Sequence, residues 1–359
     1  MVLTIGGSNC SRHLSLIPSF TASGCCGPIH LLAKSPWRRT VRDETAGMDH
    51  DFPLRNGLVL TRDIQHLPSA LREMNRHVMR GSLIKLRRGA YVPYDLWGAA
   101  SSRQQHILRA RAVAEMARGS VILTGVSAAA VWGMPVAGDW PDEVTILDRW
   151  RGGGRSEPGV RRTSASFATA DTTMVDGLAV TPLARTALMV ARSQSFTRAV
   201  GSVDWVLGSQ CPQPLTKDAL VHELTRMTLR SGTRHLGEVV RFASGLSDSF
   251  GESRARAAIH RLGFQAPELQ AEFHDEDGRM FVDFFWREAS VIVEFDGKVK
   301  YARDEFSQGN PAEVVWREKK REDRLRRQVR VVVRIVTADV EDPARLERRL
   351  VEARVPRRS

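Results

Sequence analysis

The chain has 359 residues, of which 42% are apolar, enough for packed cores in roughly two or three domains. Its 53 lysines and arginines outnumber its 41 aspartates and glutamates, which gives a formal net charge of +12 and favours a polyanionic partner, above all nucleic acid. No apolar run approaches the ~18 to 20 residues needed to cross a bilayer, so we expect no membrane span. The four cysteines lack metal-ligand spacing, which is typical of a reducing compartment and predicts a cytoplasmic protein.

The first 47 residues differ in pattern from the rest of the chain. The stretch SFTASGCC faintly imitates a lipoprotein cleavage site, but the apolar segment before it, LSLIP, is too short and polar for a signal peptide. We therefore expect residues 1–47 to be a disordered tail, or an over-extended start ahead of Met48.

Residues 48–98 are the first region with an orderly pattern. From Gly57 the sequence predicts a helix, a short turn, a second helix and a hairpin. We expect Pro68-Ser69 to break the first helix and to cap the second. Gly81 is expected to end the second helix.

The second predicted helix has two distinct faces. Apolar residues recur at i, i+3 and i+7, as expected of a stripe that meets a core: Leu71, Met74 and Val78. Arginines recur at i, i+4 and i+8 on another face: Arg72, Arg76 and Arg80. The hairpin that follows adds basic residues around its tip: Lys85, Arg87 and Arg88.

This order of elements is that of a winged helix-turn-helix, in which a recognition helix enters the major groove and a wing contacts the backbone. The basic residues of helix and hairpin therefore predict DNA contact. The alternative is a small helical hairpin whose arginines are merely solvated.

The middle of the chain, residues 99–245, predicts a mixed α/β domain. Its pattern alternates helices such as RQQHILRARAVAEMA with strands such as EVTILD. No catalytic constellation is present in it. Its three isolated histidines are expected to be structural or exposed: His106, His222 and His235.

Residues 246–359 predict a domain with the order αβββαβ followed by a final helix. The second and third strands form a hairpin about a turn centred between Glu288 and Ala289. This register places one apolar face opposite another: Val282, Phe284 and Trp286 against Phe295, Val293 and Val291.

The other face of this hairpin carries acids. Asp283 lies opposite Glu294 in this register, and Asp296 follows two residues later. Opposed side chains are roughly 4.5 to 5.5 Å apart at Cβ, where like charges are destabilising. A hard divalent cation such as Mg²⁺ or Mn²⁺ between the carboxylates would explain them, and it could neutralise charge on a phosphodiester. The alternative is that they are solvated acids at the edge of the sheet.

Residues 249–337 resemble the PD-(D/E)XK nuclease superfamily, in particular the small domains similar to very-short-patch-repair endonucleases. The resemblance implies that Asp283 binds metal and that Glu294 or Asp296 takes the (D/E) role. It implies that Lys298, or Lys300, is the motif's lysine, which orients water or stabilises charge. Glu252 matches an acid that some members add from the leading helix. It also implies a restriction-endonuclease-like fold with endodeoxyribonuclease activity, although no proline precedes Asp283.

A second basic cluster follows in WREKKREDRLRR. Its bases outnumber its acids, which suits phosphate contacts beside the acidic site, and Lys319 and Arg321 are the preferred candidates. Alternating signs are also typical of solvated i,i+4 pairs on a helix, which is the alternative.

Residues 57–200 resemble, more loosely, the antitoxins of abortive-infection type IV toxin–antitoxin systems. The resemblance implies a winged helix that binds the promoter of a cognate toxin's genes. Two functions therefore stand side by side: a DNA-binding protein with a Mg²⁺-dependent endonuclease domain, or an antitoxin and transcriptional repressor whose nuclease fold is vestigial.

Overall fold

The computed structural model describes residues 52–148, 157–164, 172–229, 231–297 and 311–358, with side chains of 311–315 left aside. The predicted tail, Lys298 and Lys300 lie outside these ranges. Within them the chain is a mixed α/β protein with three sheets, as predicted. No helix in these ranges is long and apolar enough to cross a membrane.

The first sheet has three strands in the order β1-β3-β2. Its elements follow one another along the chain as β1 (Val59–Leu60), α1 (Thr61–Ile64), α2 (Pro68–Met79), β2 (Leu83–Arg87), β3 (Ala90–Pro93) and α3 (Tyr94–Ala99). The predicted first helix is a single turn. The hairpin of β2 and β3 turns at Arg88-Gly89, where it was predicted.

Helix α2 has the predicted core stripe, but its start differs from the prediction. Met74 is buried, with Leu71 and Val78 partly buried beside it. Ser69 does not cap the helix, because Leu67 is the capping residue and Pro68 opens the first turn. Proline is favoured there since its missing N–H would have no helical partner. The helix ends before Gly81, whose φ of +77° is the left-handed conformation that glycine adopts without penalty.

The second sheet has five strands in the order β6-β5-β4-β8-β7. Its region contains α4 (Ser102–Met116), β4 (Ile122–Leu123), α5 (Gly125–Trp132), β5 (Val144–Asp148), β6 (Val160–Ser164), β7 (Thr173–Val175) and β8 (Leu178–Val180). Four helices follow: α6 (Leu183–Arg192), α7 (Phe196–Leu207), α8 (Lys217–Arg226) and α9 (Thr233–Phe242). These helices bury one apolar cluster among themselves, and the sheet buries another under α4 and α5.

The third sheet has four strands in the order β12-β11-β10-β9, with β11 and β12 parallel and the other pairs antiparallel. Its elements are α10 (Phe250–Arg261), β9 (Glu268–Asp275), β10 (Gly278–Trp286), β11 (Val291–Asp296), α11 (Pro311–Gln328), β12 (Val331–Val336), α12 (Thr337–Glu341) and α13 (Pro343–Glu352). This is the predicted order αβββαβ, with one extra helical turn, α12, before the final helix.

The hairpin of β10 and β11 has the predicted register over its three pairs, but the predicted pairs of Asp283 with Glu294 and of Val282 with Phe295 are not among them. Three pairs face each other as expected for a turn between Glu288 and Ala289: Phe284 with Val293, Phe285 with Ile292, and Trp286 with Val291. All six residues of these pairs are buried, and they alternate between the two sides of the sheet.

The predicted alternation of faces along β10 is wrong at one residue. Val282 packs with Phe285 and with Leu325 of helix α11. Phe284 and Trp286 pack instead on the other side of the sheet, with α10 and α13. Strict alternation would put Val282 beside Phe284, so the strand twists over at Asp283, the residue between them.

Helices α7 and α10 join the middle of the chain to the third sheet. They approach closely, since a Cβ on Gly201 would lie 2.5 Å from the Phe250 ring. Across this contact Arg256 donates to Asp204 at 2.9 Å, and both side chains are buried. Asp204 also accepts the backbone N–H of Ser244 at 2.8 Å. A buried ion pair of this kind stabilises the contact only while both partners are present.

Candidate functional site

Asp283 lies where strands β10 and β11 separate. Their pairing ends at Phe284 and Val293, although both strands continue beyond it. The Asp283 carboxylate takes the place of a strand partner, because its Oδ2 accepts the backbone N–H of Phe295 at 2.7 Å. The side chain therefore lies at the gap between the two strands.

Glu294 faces helix α11 and meets a positive charge there. Its side chain is 12% exposed, and its Oε1 lies 2.8 Å from a guanidinium nitrogen of Arg321, which is itself 27% exposed. The same guanidinium donates to the carbonyl of Phe281 on β10 at 2.6 Å. Arg321 thus bridges the two strands at the point where they separate.

More than one acid affects the pKa of Arg321. Burial acts to lower the pKa of Arg321, but the hydrogen bond and charge of Glu294 raise it above its ordinary value. Glu318 and Asp283 contribute in the same direction. The sequence predicted a divalent cation between the acids of this hairpin; the cation that the structure describes beside Glu294 is the guanidinium of Arg321.

Glu252 sits at the start of α10 and is 2% exposed. Its Oε1 accepts from the Ser249 hydroxyl at 2.8 Å, and its Oε2 accepts from the backbone N–H of Asp248 at 2.8 Å. These contacts close the first turn of the helix, as in a capping box. The side-chain amide of Gln270, on β9, reaches the same Oε2 at 3.4 Å.

Asp296 is the last residue of β11 and is partly buried, level with Val336 of the parallel strand β12. It follows Glu294 on the same face of the strand, as predicted. Lys298, the candidate lysine of the site, falls outside the described ranges, as does Lys300.

The fit of a divalent cation can be judged from the acids that the structure describes. Among them, no group of three or more His, Cys, Asp or Glu side chains could hold a metal ion. One oxygen of Asp283 accepts a backbone N–H, and one oxygen of Glu294 contacts a guanidinium. As arranged, these carboxylates do not fit Mg²⁺, which requires several converging oxygens. Metal ligation by Asp283, Glu294 and Asp296 stays a prediction.

The predicted DNA-contacting residues of helix α2 are all exposed: Arg72, Arg76 and Arg80. On the hairpin, Lys85 and Arg88 are exposed as well. Arg76 donates to Glu73 on the same helix. Arg87 donates to Glu157, from another part of the chain, at 2.9 Å and is only 25% exposed. The hydrogen bonds of Arg87 and Arg162 hold the pKa of Glu157 below its ordinary value. Arg87 therefore has an internal partner that the sequence did not reveal.

Helix α11 presents its bases in two directions. Lys319 is exposed, whereas Arg321 is turned toward the sheet. The ammonium of Lys320 lies 3.8 Å from the ring centre of Trp316, which is exposed. An aromatic ring within a basic stretch is a feature shared with surfaces that bind nucleic acid.

The middle region contains a buried serine–histidine pair that is structural. His106 lies 2.9 Å from the Ser127 hydroxyl and 2.7 Å from the Pro141 carbonyl. Both side chains are fully buried, and burial lowers the pKa of His106. A substrate has no access to this pair. Its hydrogen bonds hold α4 against α5, and Ser127 also accepts the N–H of Thr145.

The sequence analysis missed Gln270, and it named Arg321 only as a phosphate contact, not as the partner of Glu294. The pairing of Arg321 with Glu294 depends on how α11 crosses the sheet, which no local pattern encodes. Gln270 is polar in a half-buried strand, a weak signal that many surface strands share.

No family model matches the chain. Two uncharacterized proteins of Mycobacterium tuberculosis, Rv2248 of strain H37Rv and MT2308 of strain CDC 1551, are 31% identical over 179 residues. The match covers 49% of this chain and 62% of theirs, so the chain spans less than two thirds of these curated relatives. The crystal structure of the RV2827C protein of the same species matches 57% of this chain and 77% of that one, with a TM-score of 0.36 and 18% identity.

Proposed function

We propose that the chain is a cytoplasmic DNA-binding protein whose C-terminal domain is a metal-dependent endodeoxyribonuclease of the PD-(D/E)XK kind. The observation that supports this most is that Asp283 and Glu294 lie on neighbouring strands where the β10–β11 pairing ends, with Glu294 2.8 Å from the Arg321 guanidinium. The strands separate at these residues, so the acids line a gap rather than a continuous ladder. Carboxylates on neighbouring strands beside a basic helix are the residue types that a metal-dependent phosphodiesterase uses.

DNA binding is assigned to the first sheet and helix α2, acting as a winged helix. The exposed arginine row of α2 would lie along the major groove, and the tip of the β2–β3 hairpin would contact the backbone. Lys85 and Arg88 are the hairpin residues best placed for phosphates because both are exposed. Lys319 would add a contact near the acidic site.

The catalytic half of the proposal concerns Asp283, Glu294 and Asp296 as ligands of Mg²⁺ or Mn²⁺. Glu252 supports them from α10, and Lys298 assists the reaction as the resemblance implies. In the described arrangement the guanidinium of Arg321 contacts Glu294, so a metal ion can bind Glu294 only if that contact breaks. Phosphate oxygens of bound DNA are the natural alternative partner for the guanidinium.

The test is a cleavage assay on the full chain with Mg²⁺ or Mn²⁺. Substrates are single-stranded, duplex, mismatched and branched DNA, and the matched variant is Asp283→Ala. We expect the wild type to nick at least one substrate and the variant to bind DNA without nicking. A wild type that leaves all four substrates intact rules out DNA cleavage.

A second function is favoured by the ion pair itself. Because Arg321 neutralises Glu294 without a metal, the C-terminal domain can fold and persist as a vestigial nuclease. The chain would then act as an antitoxin and repressor that binds the promoter of a cognate toxin. This function predicts tight binding to its own promoter, needing no metal and unchanged by Asp283→Ala. A gene for a nucleotidyltransferase-like toxin next to its own gene would also favour it.

A further inference from the structure

Strand β9 contains a backbone irregularity directly opposite Asp283. On either side, Val282 pairs with Ala271 and Phe284 pairs with Leu269, in one unbroken register. The intervening pair, Asp283 with Gln270, does not form. The register is the same before and after, so no residue is inserted and this is not a β-bulge.

Gln270 itself has a φ of +49°, in the left-handed region. A side chain with a Cβ is disfavoured there because the Cβ approaches the following carbonyl oxygen. The residue is inside an eight-residue strand, not in a turn. Such conformations persist where surrounding contacts impose them, and they concentrate at functional sites.

The irregularity reverses the side-chain faces of both strands. On β9, Ala271 packs under α11, whereas Leu269 packs on the other side of the sheet, with α10. The same reversal occurs on β10 between Val282 and Phe284. The side-chain faces of β9 and β10 therefore reverse at Gln270 and at Asp283, respectively.

The Gln270 side chain uses this departure from the strand to reach α10. Its amide nitrogen lies 3.4 Å from Glu252 Oε2. It thus links the buried carboxylate of α10 to the strand position that faces Asp283. The backbone break and the amide contact are separate observations: the break places Gln270 opposite Asp283, and the amide joins it to Glu252.

We propose that Gln270 is a positioning residue that fixes Glu252 against the sheet at the position opposite Asp283. This rests on the proposed nuclease function and adds to it a residue that does not touch the substrate. The left-handed backbone is needed because a regular strand residue would stay in the β9–β10 ladder. The role requires an amide donor as well as the backbone conformation.

The experiment compares Gln270→Gly with Gln270→Ala in the full chain. Glycine adopts the left-handed conformation freely but removes the amide, whereas alanine removes the amide and keeps the strain. Ser290→Gly is the matched control, since Ser290 has a φ of +52° at the end of the same domain's β10–β11 turn. Turnover and KM for DNA are measured with Mn²⁺, together with the melting temperature.

We expect Gln270→Gly to melt like the wild type and to lose turnover by roughly 10- to 100-fold, as for other outer-shell partners, with KM unchanged. Gln270→Ala should lose turnover equally and melt lower, and Ser290→Gly should cleave like the wild type. An active wild type with an equally active Gln270→Gly overturns the positioning role alone. So does a Gln270→Gly that loses stability and raises KM. An inactive wild type overturns the proposed function and the positioning role with it.

Discussion

Replacing Arg321 by methionine removes the cation that faces Glu294 while keeping an unbranched apolar stem. At the observed 2.8 Å, the attraction between the two charges is about 6 kcal/mol at an effective dielectric constant of 20. Desolvation offsets much of it, and breaking a fully buried pair costs about 3 to 5 kcal/mol. Because Glu294 is 12% and Arg321 27% exposed, we expect Arg321→Met to lose about 2 to 3 kcal/mol of unfolding free energy.

The same substitution should increase the affinity of the acids for a divalent cation. A ligand at 100 times its Kd stabilises the folded state by about 2.7 kcal/mol, so Mn²⁺ should restore most of the loss. The assay is thermal unfolding of the wild type and Arg321→Met with and without Mn²⁺.

Arg326→Met is the matched control on the same helix. Arg326 pairs with Glu322 at 2.6 Å, but its side chain is 53% exposed, and exposed i,i+4 pairs contribute only about 0.3 to 0.5 kcal/mol. We expect it to melt like the wild type at any Mn²⁺ concentration. If Mn²⁺ raises the melting temperature of Arg321→Met no more than that of Arg326→Met, Arg321 does not occupy the position of a metal ion.

Three further outcomes follow from the described contacts. Arg256→Met should cost about 3 to 5 kcal/mol in urea unfolding because it leaves the buried carboxylate of Asp204 without its cation. The hydrogen bond from Arg324 lowers the pKa of Asp275, so its contribution is present above the unfolded pKa, about 3.9, and is lost as the pH falls through the folded value. Melting temperatures of the wild type and Arg324→Met should therefore differ at pH 7 and converge toward pH 2. Arg88→Ala should reduce the slope of log affinity for duplex DNA against log salt by about 0.9, in gel-shift titrations.

The sequence was sufficient for the order of elements and for the hairpin register in the C-terminal domain. Both follow from local information: the periods of the apolar residues, and the short turn that separates the apolar runs of β10 and β11. The core stripe of α2 was predictable for the same reason. The short hairpin of β7 and β8 was not predicted, because three-residue strands are too brief to show alternation of apolar and polar residues. Asp176-Gly177 is nevertheless a good turn signal.

The acidic site was only partly predictable. Its acids could be placed on neighbouring strands, but the face switch at Asp283 arises from a left-handed residue on another strand, Gln270. The cation beside Glu294 comes from a helix that follows in the chain. Both depend on tertiary packing, which a pattern within one segment does not encode.

The proposed nuclease depends on a divalent cation that Asp283 and its neighbours hold when the chain acts on DNA. Calorimetric titration of Mn²⁺ into the full chain, with and without a duplex oligonucleotide, tests this for the wild type and Asp283→Ala. We expect saturable Mn²⁺ binding to the wild type that is tighter when DNA is bound, and none to the variant. Identical titration curves for the two proteins, with or without DNA, would contradict it.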